Sequence, residues 1–411
     1  MVLSRKILVV VAAALAVVAS VSACSSSGTS TSSSTPTTAG STGAKAAGSA
    51  ITIGVICSCS GPFGADQTPA WEVLQAWQKS VNASGGLNGH PVDFTYMNNG
   101  SVPGTAVTDA QSLISDKVDA IFDLDILDAV WQKPVSAAKI PVIGGNFTSP
   151  MFYTDPDWYP SGQTNDSITY AVVATAKKAG ATNLGQLYCA EAAQCQQSVP
   201  LIKAAGKTLG VPDVYDASIA ATAPNYTAQC VAAKQARVTA LFIGDSTSII
   251  ARVAQDCSRQ GYKPIYVTEG TGFTNQALTT PGLSTNMWSP FPVLPFFSNA
   301  PAVTAMNTAL DKYFPGVREN STTWSEFAAQ AWTAGLLLAQ AVKNAGVTGS
   351  DTVSPAVITK GLDTVSNETL GGFSPSLNFA AGKAHPVDCW YTGRVQGGKA
   401  SQVGGLSCKT S

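Results

Sequence analysis

Short apolar runs rich in Val and Ile alternate with longer segments of helical periodicity through most of this chain. ITIGVIC, residues 51–57, has the composition of a buried strand, and AWEVLQAWQKSVNAS, residues 70–84, spaces its large apolar side chains like a helix. Strands that alternate with helices form parallel sheets covered by helices. Because a Tyr-, Pro- and Gly-rich break at residues 153–164 separates two such blocks, the pattern predicts an α/β fold of two doubly wound lobes.

The beginning of the chain has a different character. Residues 1–23 open with Arg5 and Lys6 and continue as a short apolar run, which is typical of a signal peptide. The last residues of this run together with Cys24, VSAC, resemble the lipobox of bacterial lipoproteins, in which the cysteine carries the lipid. We expect Cys24 to anchor the chain to the outer face of the cell membrane. The alternative is an ordinary signal cleaved nearby, which would leave Cys24 free.

Residues 24–50 consist mainly of Ser, Thr, Gly and Ala, so they predict a flexible tether rather than part of a core. The body that follows has about 360 residues, too many for one ordinary core. Without residues 1–23 the chain has 22 basic and 25 acidic residues, a formal net charge of −3. This balance gives no indication of nucleic-acid binding, which favours a basic stripe. We expect a monomer.

Eight cysteines lie in the body, and an even number in an exported chain argues for disulfides. Many connectivities are open to eight cysteines. Proximity favours three local pairs and leaves two cysteines over, one residue apart: Cys189 with Cys195, Cys230 with Cys257, Cys389 with Cys408, and the remaining Cys57 and Cys59. Two histidines and no repeated CxxC motif disfavour a zinc site. We predict no metal and no cofactor.

No catalytic motif follows any of the predicted strands. GxSxG, Walker, HExxH and GxGxxG patterns are all missing from those positions. His90 and His385 lie in turn-like segments, where we expect exposed loop histidines. Asp123, Asp125 and Asp128 cluster after one strand, but their spacing identifies no acid–base pair. The sequence therefore predicts a binding protein, with an envelope enzyme as an alternative.

A series of segments resembles the branched-chain amino-acid substrate-binding proteins, which are type I periplasmic binding proteins of ABC importers. The resemblance covers about residues 51–400. It rests on a first strand followed by Ser-Gly-Pro, a long helix, the pattern N-x-x-GG-L-NG, and then IPVIGGNFTSP, KPIYVTEG, WSEFAAQAWTAGLLLAQAVKNAG and LGGFSPSLNFAAGK.

This resemblance implies two Rossmann-like lobes joined by a three-crossover hinge. Lobe I would comprise residues 51–163 and 292–372, and lobe II residues 164–291 and 373–411. A small polar solute such as an amino acid or amide would be enclosed between the lobes and delivered to an ABC permease in the membrane. A ligand-sensing or partner-binding lipoprotein on the same fold is the alternative.

The resemblance also implies which residues of lobe I line the cleft. The loop after the first strand contributes Ser60, and Asp66 stands about where amino-acid binders place an aromatic residue. Asp125, or Ile126 beside it, takes the place of a serine that binds the ligand carboxylate. The end of the next strand contributes a pair of polar residues, Asn146 and Thr148.

In lobe II the resemblance assigns two acids to the cleft. Glu269 corresponds to the acid that receives the ligand ammonium, and Asp245 stands at a position that is often aromatic. Trp324, just before a helix of lobe I, would wall the pocket.

Acids at these positions bear on the ligand. Asp125 in place of a serine would repel an α-carboxylate, and Asp66 and Asp245 add further negative charge. If these side chains point inward, we expect a hydroxyl-rich, amide or cationic ligand rather than a simple zwitterionic aliphatic amino acid. The alternative role of Asp125 and Asp128 is to cap the helix predicted at DAVWQKPV.

Overall fold

A computed structural model of the chain describes residues 46–146, 148–191 and 193–409. The predicted signal peptide, Cys24 and the tether up to residue 45 lie outside the described residues. The strands are β1 (Ile51–Cys57), β2 (Val92–Asn98), β3 (Ala120–Leu124), β4 (Val142–Ile143), β5 (Trp158–Tyr159), β6 (Leu184–Cys189), β7 (Asp213–Ile219), β8 (Ala240–Gly244), β9 (Ile265–Val267), β10 (Met287–Phe291), β11 (Cys389–Gln396), β12 (Lys399–Gln402) and β13 (Ser407–Cys408).

Helices follow most of these strands. They are α1 (Gly64–Ala83), α2 (Pro103–Ser115), α3 (Gln132–Ala137), α4 (Asn165–Lys178), α5 (Ala193–Leu209), α6 (Thr227–Gln235), α7 (Thr247–Arg259), α8 (Pro301–Tyr313), α9 (Val317–Asn320), α10 (Glu326–Ala345) and α11 (Pro355–Leu362).

Two separate sheets share one strand order. The first has the order β2-β1-β3-β4-β5, and its strands are all parallel. The second repeats this order as β7-β6-β8-β9-β10, also parallel, and then continues through antiparallel β11 and β12. The prediction of an α/β fold with two doubly wound lobes is confirmed.

Buried apolar clusters lie on both faces of each sheet, as expected for parallel sheets between helix layers. The largest cluster joins the first sheet to α1, α10 and α11. Trp77 of α1 lies so close to Gly335 of α10 that a Cβ atom there would be 2.4 Å from its ring. The later helices of the chain therefore complete the lobe that β1 begins.

Three chain segments run side by side where the lobes connect. The backbone N–H of Gln163 donates to the carbonyl oxygen of Pro292 (2.9 Å), and that of Thr164 donates to the carbonyl oxygen of Val387 (3.1 Å). A Cβ atom on Gly162 would come within 2.6 Å of the Pro292 carbonyl oxygen, so this close approach requires glycine. These contacts form the hinge.

We propose the predicted lobe limits for the first two crossovers, near residues 163 and 292. For the third we propose a later position than residue 372, because Leu377 and Val387 are buried in the core of the first lobe. The chain then joins the second sheet at Cys389, where β11 begins.

Disulfides join all eight cysteines of the body: Cys57–Cys59, Cys189–Cys195, Cys230–Cys257 and Cys389–Cys408. They are the pairs that proximity along the chain favoured, together with the two residues left over. Cys230–Cys257 ties α6 to α7, and Cys389–Cys408 closes the terminal strands.

Both histidines are buried, contrary to the expectation of exposed loop residues. The ring nitrogens of His90 lie 2.8 Å from the carbonyl oxygen of Ser49 and 2.6 Å from that of Thr348. The ring of His385 stacks on Tyr159 at 4.7 Å, and burial lowers the pKa of His385. The partners are distant in sequence, which is why local turn signals predicted exposure.

Candidate functional site

A cavity of about 270 Å³ is lined by residues from both lobes. In sheets of this strand order, ligands bind beyond the carboxyl ends of the strands where the order reverses. The reversal lies between β1 and β3 in the first lobe and between β6 and β8 in the second. Residues that follow β1, β3, β6, β8 and β9 all contribute to the wall, so the cavity lies at the expected place.

Asp66 lines the cavity from lobe I and also bonds a residue of lobe II. It lies in the first turn of α1, and its carboxylate accepts hydrogen bonds from the Thr247 hydroxyl (2.6 Å) and backbone N–H (3.5 Å). Thr247 begins α7 of lobe II, where free N–H groups attract negative charge. Burial raises the pKa of Asp66, and the bonds from Thr247 partly offset this. Asp66 thus links the lobes.

Asp245 follows β8 and faces the cavity from lobe II. One carboxylate oxygen accepts the Ser246 backbone N–H at 2.7 Å, while Oδ2 is buried with no hydrogen-bond partner among the described residues. The pKa of Asp245 is raised to about 6, chiefly by burial and also by the carboxylates of Glu191 and Asp66, against the opposing hydrogen bond from Ser246. The Asp245 carboxyl group therefore has one acceptor oxygen that is available to a ligand donor.

Glu269 follows β9 and begins the 3-10 turn Gly270–Gly272. Its side chain lines the cavity and makes no hydrogen bond or ion pair with any residue that the structure describes. Burial alone raises the pKa of Glu269 to about 7. A carboxyl group in this state stabilises a ligand that supplies either positive charge or hydrogen-bond donors.

Glu191 is a fourth acid of the wall, and the sequence did not single it out. It follows β6, inside the short loop that the Cys189–Cys195 disulfide closes, and its Oε1 accepts the backbone N–H of Ala221 at 2.7 Å. Its position just beyond a strand end, like those of Asp245 and Glu269, is the signal that could have found it.

The described wall places no basic side chain among these four acids. Lys, Arg and His are absent from the described residues that line the cavity. Much of the remaining wall is apolar and includes Phe242, Ile250 and Phe327. Gln67 lies beside Asp66; its side chain is 1 % exposed and its Oε1 has no partner among the described residues. The cavity therefore presents acceptors within an apolar enclosure.

Asp125 lies outside the cavity wall, which changes the prediction made for it. The residue is fully buried, and one carboxylate oxygen accepts from the Ser58 hydroxyl and the Leu127 backbone N–H (3.1 Å). The other accepts the Trp131 indole N–H at 2.8 Å. Its acceptors are thus engaged by the protein, and its neighbour Ile126 lines the cavity instead.

Asn146 supports the wall, and Thr148 forms part of it. The Asn146 amide donates to the Asp125 carbonyl oxygen (2.6 Å), while its Oδ1 accepts the Thr148 hydroxyl at 2.5 Å. The Thr148 carbonyl oxygen accepts from the amide of Asn165, at the start of α4. Asn146 is therefore a positioning residue, and Thr148 lines the cavity.

Ser60 and Trp324 do not line the cavity. Ser60 is exposed, and its hydroxyl donates to Asn98 Oδ1 at 3.2 Å. Trp324 is buried in the lobe I core with its ring edge-on to Phe296. The aromatic side chain that reaches the cavity from this region is Phe327, three residues later on α10.

The two other acids of the cluster after β3 are also internal. Asp123 and Asp128 are 0 % and 1 % exposed. Burial raises the pKa of Asp123 well above its usual range, with further increases from the charges of Asp128 and Asp125. Burial raises the pKa of Asp128 to about 7, against a hydrogen bond from Ser149. This cluster holds the loop rather than the ligand.

The family profile described as periplasmic binding protein matches residues 50–400, most of the chain. The chain belongs to the periplasmic binding protein family. As a periplasmic binding protein it is extracytoplasmic and not an enzyme, in agreement with the sequence prediction. No curated protein sequence matches it significantly.

Solved structures share the fold of this periplasmic binding protein at low sequence identity. A fatty acid ABC transporter substrate-binding protein from Thermomonospora curvata has a TM-score of 0.74 and 19% identity, covering 88% of this chain and 93% of its own. An ABC transporter solute binding protein from R. palustris, in complex with benzoate, has a TM-score of 0.71 and 18% identity, covering 87% of this chain and 96% of its own. A leucine binding protein from Thermotoga maritima has a TM-score of 0.70 and 15% identity, covering 87% of this chain and 98% of its own.

The described residues contain no group of three or more His, Cys, Asp or Glu side chains placed to hold a metal ion. Within the same part of the chain, no helix is both long and apolar enough to cross a membrane.

Proposed function

We propose that this periplasmic binding protein captures a small solute with a cationic nitrogen and an apolar body, and delivers it to an ABC permease. The observation that carries the proposal is the composition of the cavity wall. Asp66, Glu191, Asp245 and Glu269 contribute carboxyl groups, and no described lining residue contributes a positive charge.

The ammonium group suits such a wall because it has three donors and no acceptor. Hydrogen bonds between ionised groups are roughly twice as strong as neutral ones. We propose that Glu269 and Asp245 receive the cation and that Asp66 and Thr148 also contact the ligand. A ligand carboxylate would meet further acceptors and no compensating cation, so a simple zwitterionic amino acid is disfavoured.

Closure of the lobes provides the capture step. A ligand that contacts Asp66 in lobe I and Asp245 or Glu269 in lobe II favours the closed arrangement by its differential affinity for that state. Names of similar structures support delivery to an ABC permease, because they include substrate-binding proteins of ABC transporters. We propose that lipid on Cys24 and the tether at residues 24–50 hold the protein at the membrane.

Isothermal titration calorimetry on matched ligands tests the charge preference. Leucine, 3-methylbutan-1-amine and 4-methylpentanoate share a branched apolar body and differ in their charged groups. We expect the amine to bind most tightly and the acid least. Stronger binding of leucine or of the acid would overturn the proposal.

The anchor has an independent test. Cells expressing the chain or its Cys24→Ser variant would be labelled with a radioactive fatty acid. We expect label and membrane association only with Cys24 present. Equal release of both chains from the membrane would refute lipidation.

A further inference from the structure

The acids of the cavity form two groups rather than one. Asp66 accepts the hydroxyl of Thr247, two residues after Asp245, and the charges of Asp66 and Glu191 both act on the Asp245 carboxyl group. Glu269 follows the neighbouring strand β9, and its side chain bonds none of these three acids. We call the three-residue group the Asp245 pole and the single acid the Glu269 pole.

The chain positions the poles on different strand ends. Asp245 directly follows β8, and Glu269 follows the neighbouring strand β9 after Thr268. Asp66 reaches the first pole from lobe I, as its bond to Thr247 shows. At the second pole, no described residue of lobe I bonds the Glu269 side chain.

Each part of this wall has unfilled acceptors. Oδ2 of Asp245 and Oε1 of Gln67 are buried without a partner among the described residues, and no described residue bonds the Glu269 side chain. Buried acceptors in native proteins are nearly always satisfied. Because the amide of Gln67 is 1 % exposed, it cannot turn to bulk solvent for a donor. A bound ligand therefore has donors to supply at more than one point.

Resting on the proposed function, we propose that the ligand carries two cationic nitrogens joined by an apolar spacer, as in an α,ω-diamine. One nitrogen binds at the Glu269 pole and the other at the Asp245 pole. The apolar wall that includes Phe242, Ile250 and Phe327 contacts the spacer. A single ammonium would leave one pole uncompensated in an apolar enclosure, which is costly.

The test is calorimetry on the purified exported chain with ligands of equal length. Hexane-1,6-diamine, hexan-1-amine, hexane-1,6-diol and hexanedioate differ only at their ends, and diamines from butane-1,4-diamine to octane-1,8-diamine vary the spacing. An added charge-assisted hydrogen bond corresponds to about 10- to 100-fold in affinity. We expect the best diamine to exceed the monoamine of the same length by that factor, with one preferred spacing.

Variants assign the poles. Glu269→Gln and Asp245→Asn should each reduce diamine affinity to near that of the monoamine, while Asp93→Asn, an exposed acid on β2, should leave it unchanged. Thermal unfolding of each variant shows whether the chain is folded. Equal affinity of diamine and monoamine at every length would overturn the two-pole inference and leave the proposed function standing. Failure of both amines beside binding of the dicarboxylate would overturn both.

Discussion

The two lobes share one strand order but use the acids at their strand ends in opposite ways. In lobe I, Asp125 follows β3, is fully buried, and has its oxygens engaged by Ser58, Leu127 and Trp131. In lobe II, Asp245 follows β8, the corresponding strand, lines the cavity, and has one oxygen that no described residue bonds. The same topological position therefore stabilises a loop in one lobe and lines the cavity in the other.

This difference shows that a strand end provides a location but not a direction. A side chain there points to the cleft or back to its own lobe according to the donors that its lobe supplies. Lobe I supplies an indole N–H and a hydroxyl behind the loop. Asp245 receives one local bond, from the backbone of Ser246.

Substitution of Asp125 is expected to have the largest effect, and on stability rather than on binding. Asp125→Ser leaves the indole N–H of Trp131 and the Leu127 N–H without their acceptor, at a cost of about 3 kcal/mol in the free energy of unfolding. Urea unfolding measures this, with Asp93→Ser as the exposed control. A changed ligand preference with unchanged stability would place Asp125 in the site after all.

Substitution of Glu269 should do the reverse. Glu269→Gln removes a charge at the cavity, so we expect affinity for a cationic ligand to fall by about 10- to 100-fold, with no loss in the free energy of unfolding. Calorimetry gives the affinity and thermal unfolding the stability. If Glu269→Gln unfolded the chain and Asp125→Ser did not, the contrast between the lobes would be reversed.

Ligand affinity should depend on pH through the two acids that lobe II contributes to the cavity. Burial raises the pKa of Glu269 to about 7 and is the main cause of the Asp245 pKa of about 6, so both groups become largely neutral as the pH falls to 5.5. Affinity for a cation should therefore be about 10-fold or more lower at pH 5.5 than at pH 8. Calorimetry at several pH values measures this. Glu269→Gln should flatten the dependence, and tighter binding at low pH would contradict it.

The raised pKa of Glu269 also makes the stability of the unliganded chain depend on pH. Between about pH 4.5 and 7, Glu269 is protonated in the folded state but ionised in the unfolded state. Its contribution to the free energy of unfolding is therefore fully present below pH 4.5 and declines as the pH rises to 7. A saturating cation should offset the decline. Stability that rises with pH in Glu269→Gln relative to the parent chain would agree with this.

The smallest expected effect concerns the bond between the lobes. Thr247→Val removes the hydroxyl that bonds Asp66 but keeps the carboxylate, and we expect a loss of about 1 kcal/mol in closure. Small-angle scattering of the unliganded chain should show a larger radius of gyration, with Thr247→Ser as the control that retains the hydroxyl. An unchanged radius would mean that the bond does not hold the lobes together.

Much of this protein could be read from local pattern. Alternating strands and helices determined both lobes, because period and order are properties of neighbouring residues. Four of the eight residues proposed for the cleft, Asp66, Thr148, Asp245 and Glu269, line the cavity. They were proposed from the family resemblance, and all lie on segments that follow strand ends.

Tertiary structure decided what local pattern could not. The donors that satisfy Asp125, the carbonyl groups beside His90 and the bond from Asp66 to Thr247 all depend on which distant segment comes near. The sequence by itself determined the fold, the family and the presence of acids near a cleft. Which of those acids remain unpartnered was decided only by packing, because a hydrogen bond requires a donor within about 3 Å and sequence spacing does not fix that distance.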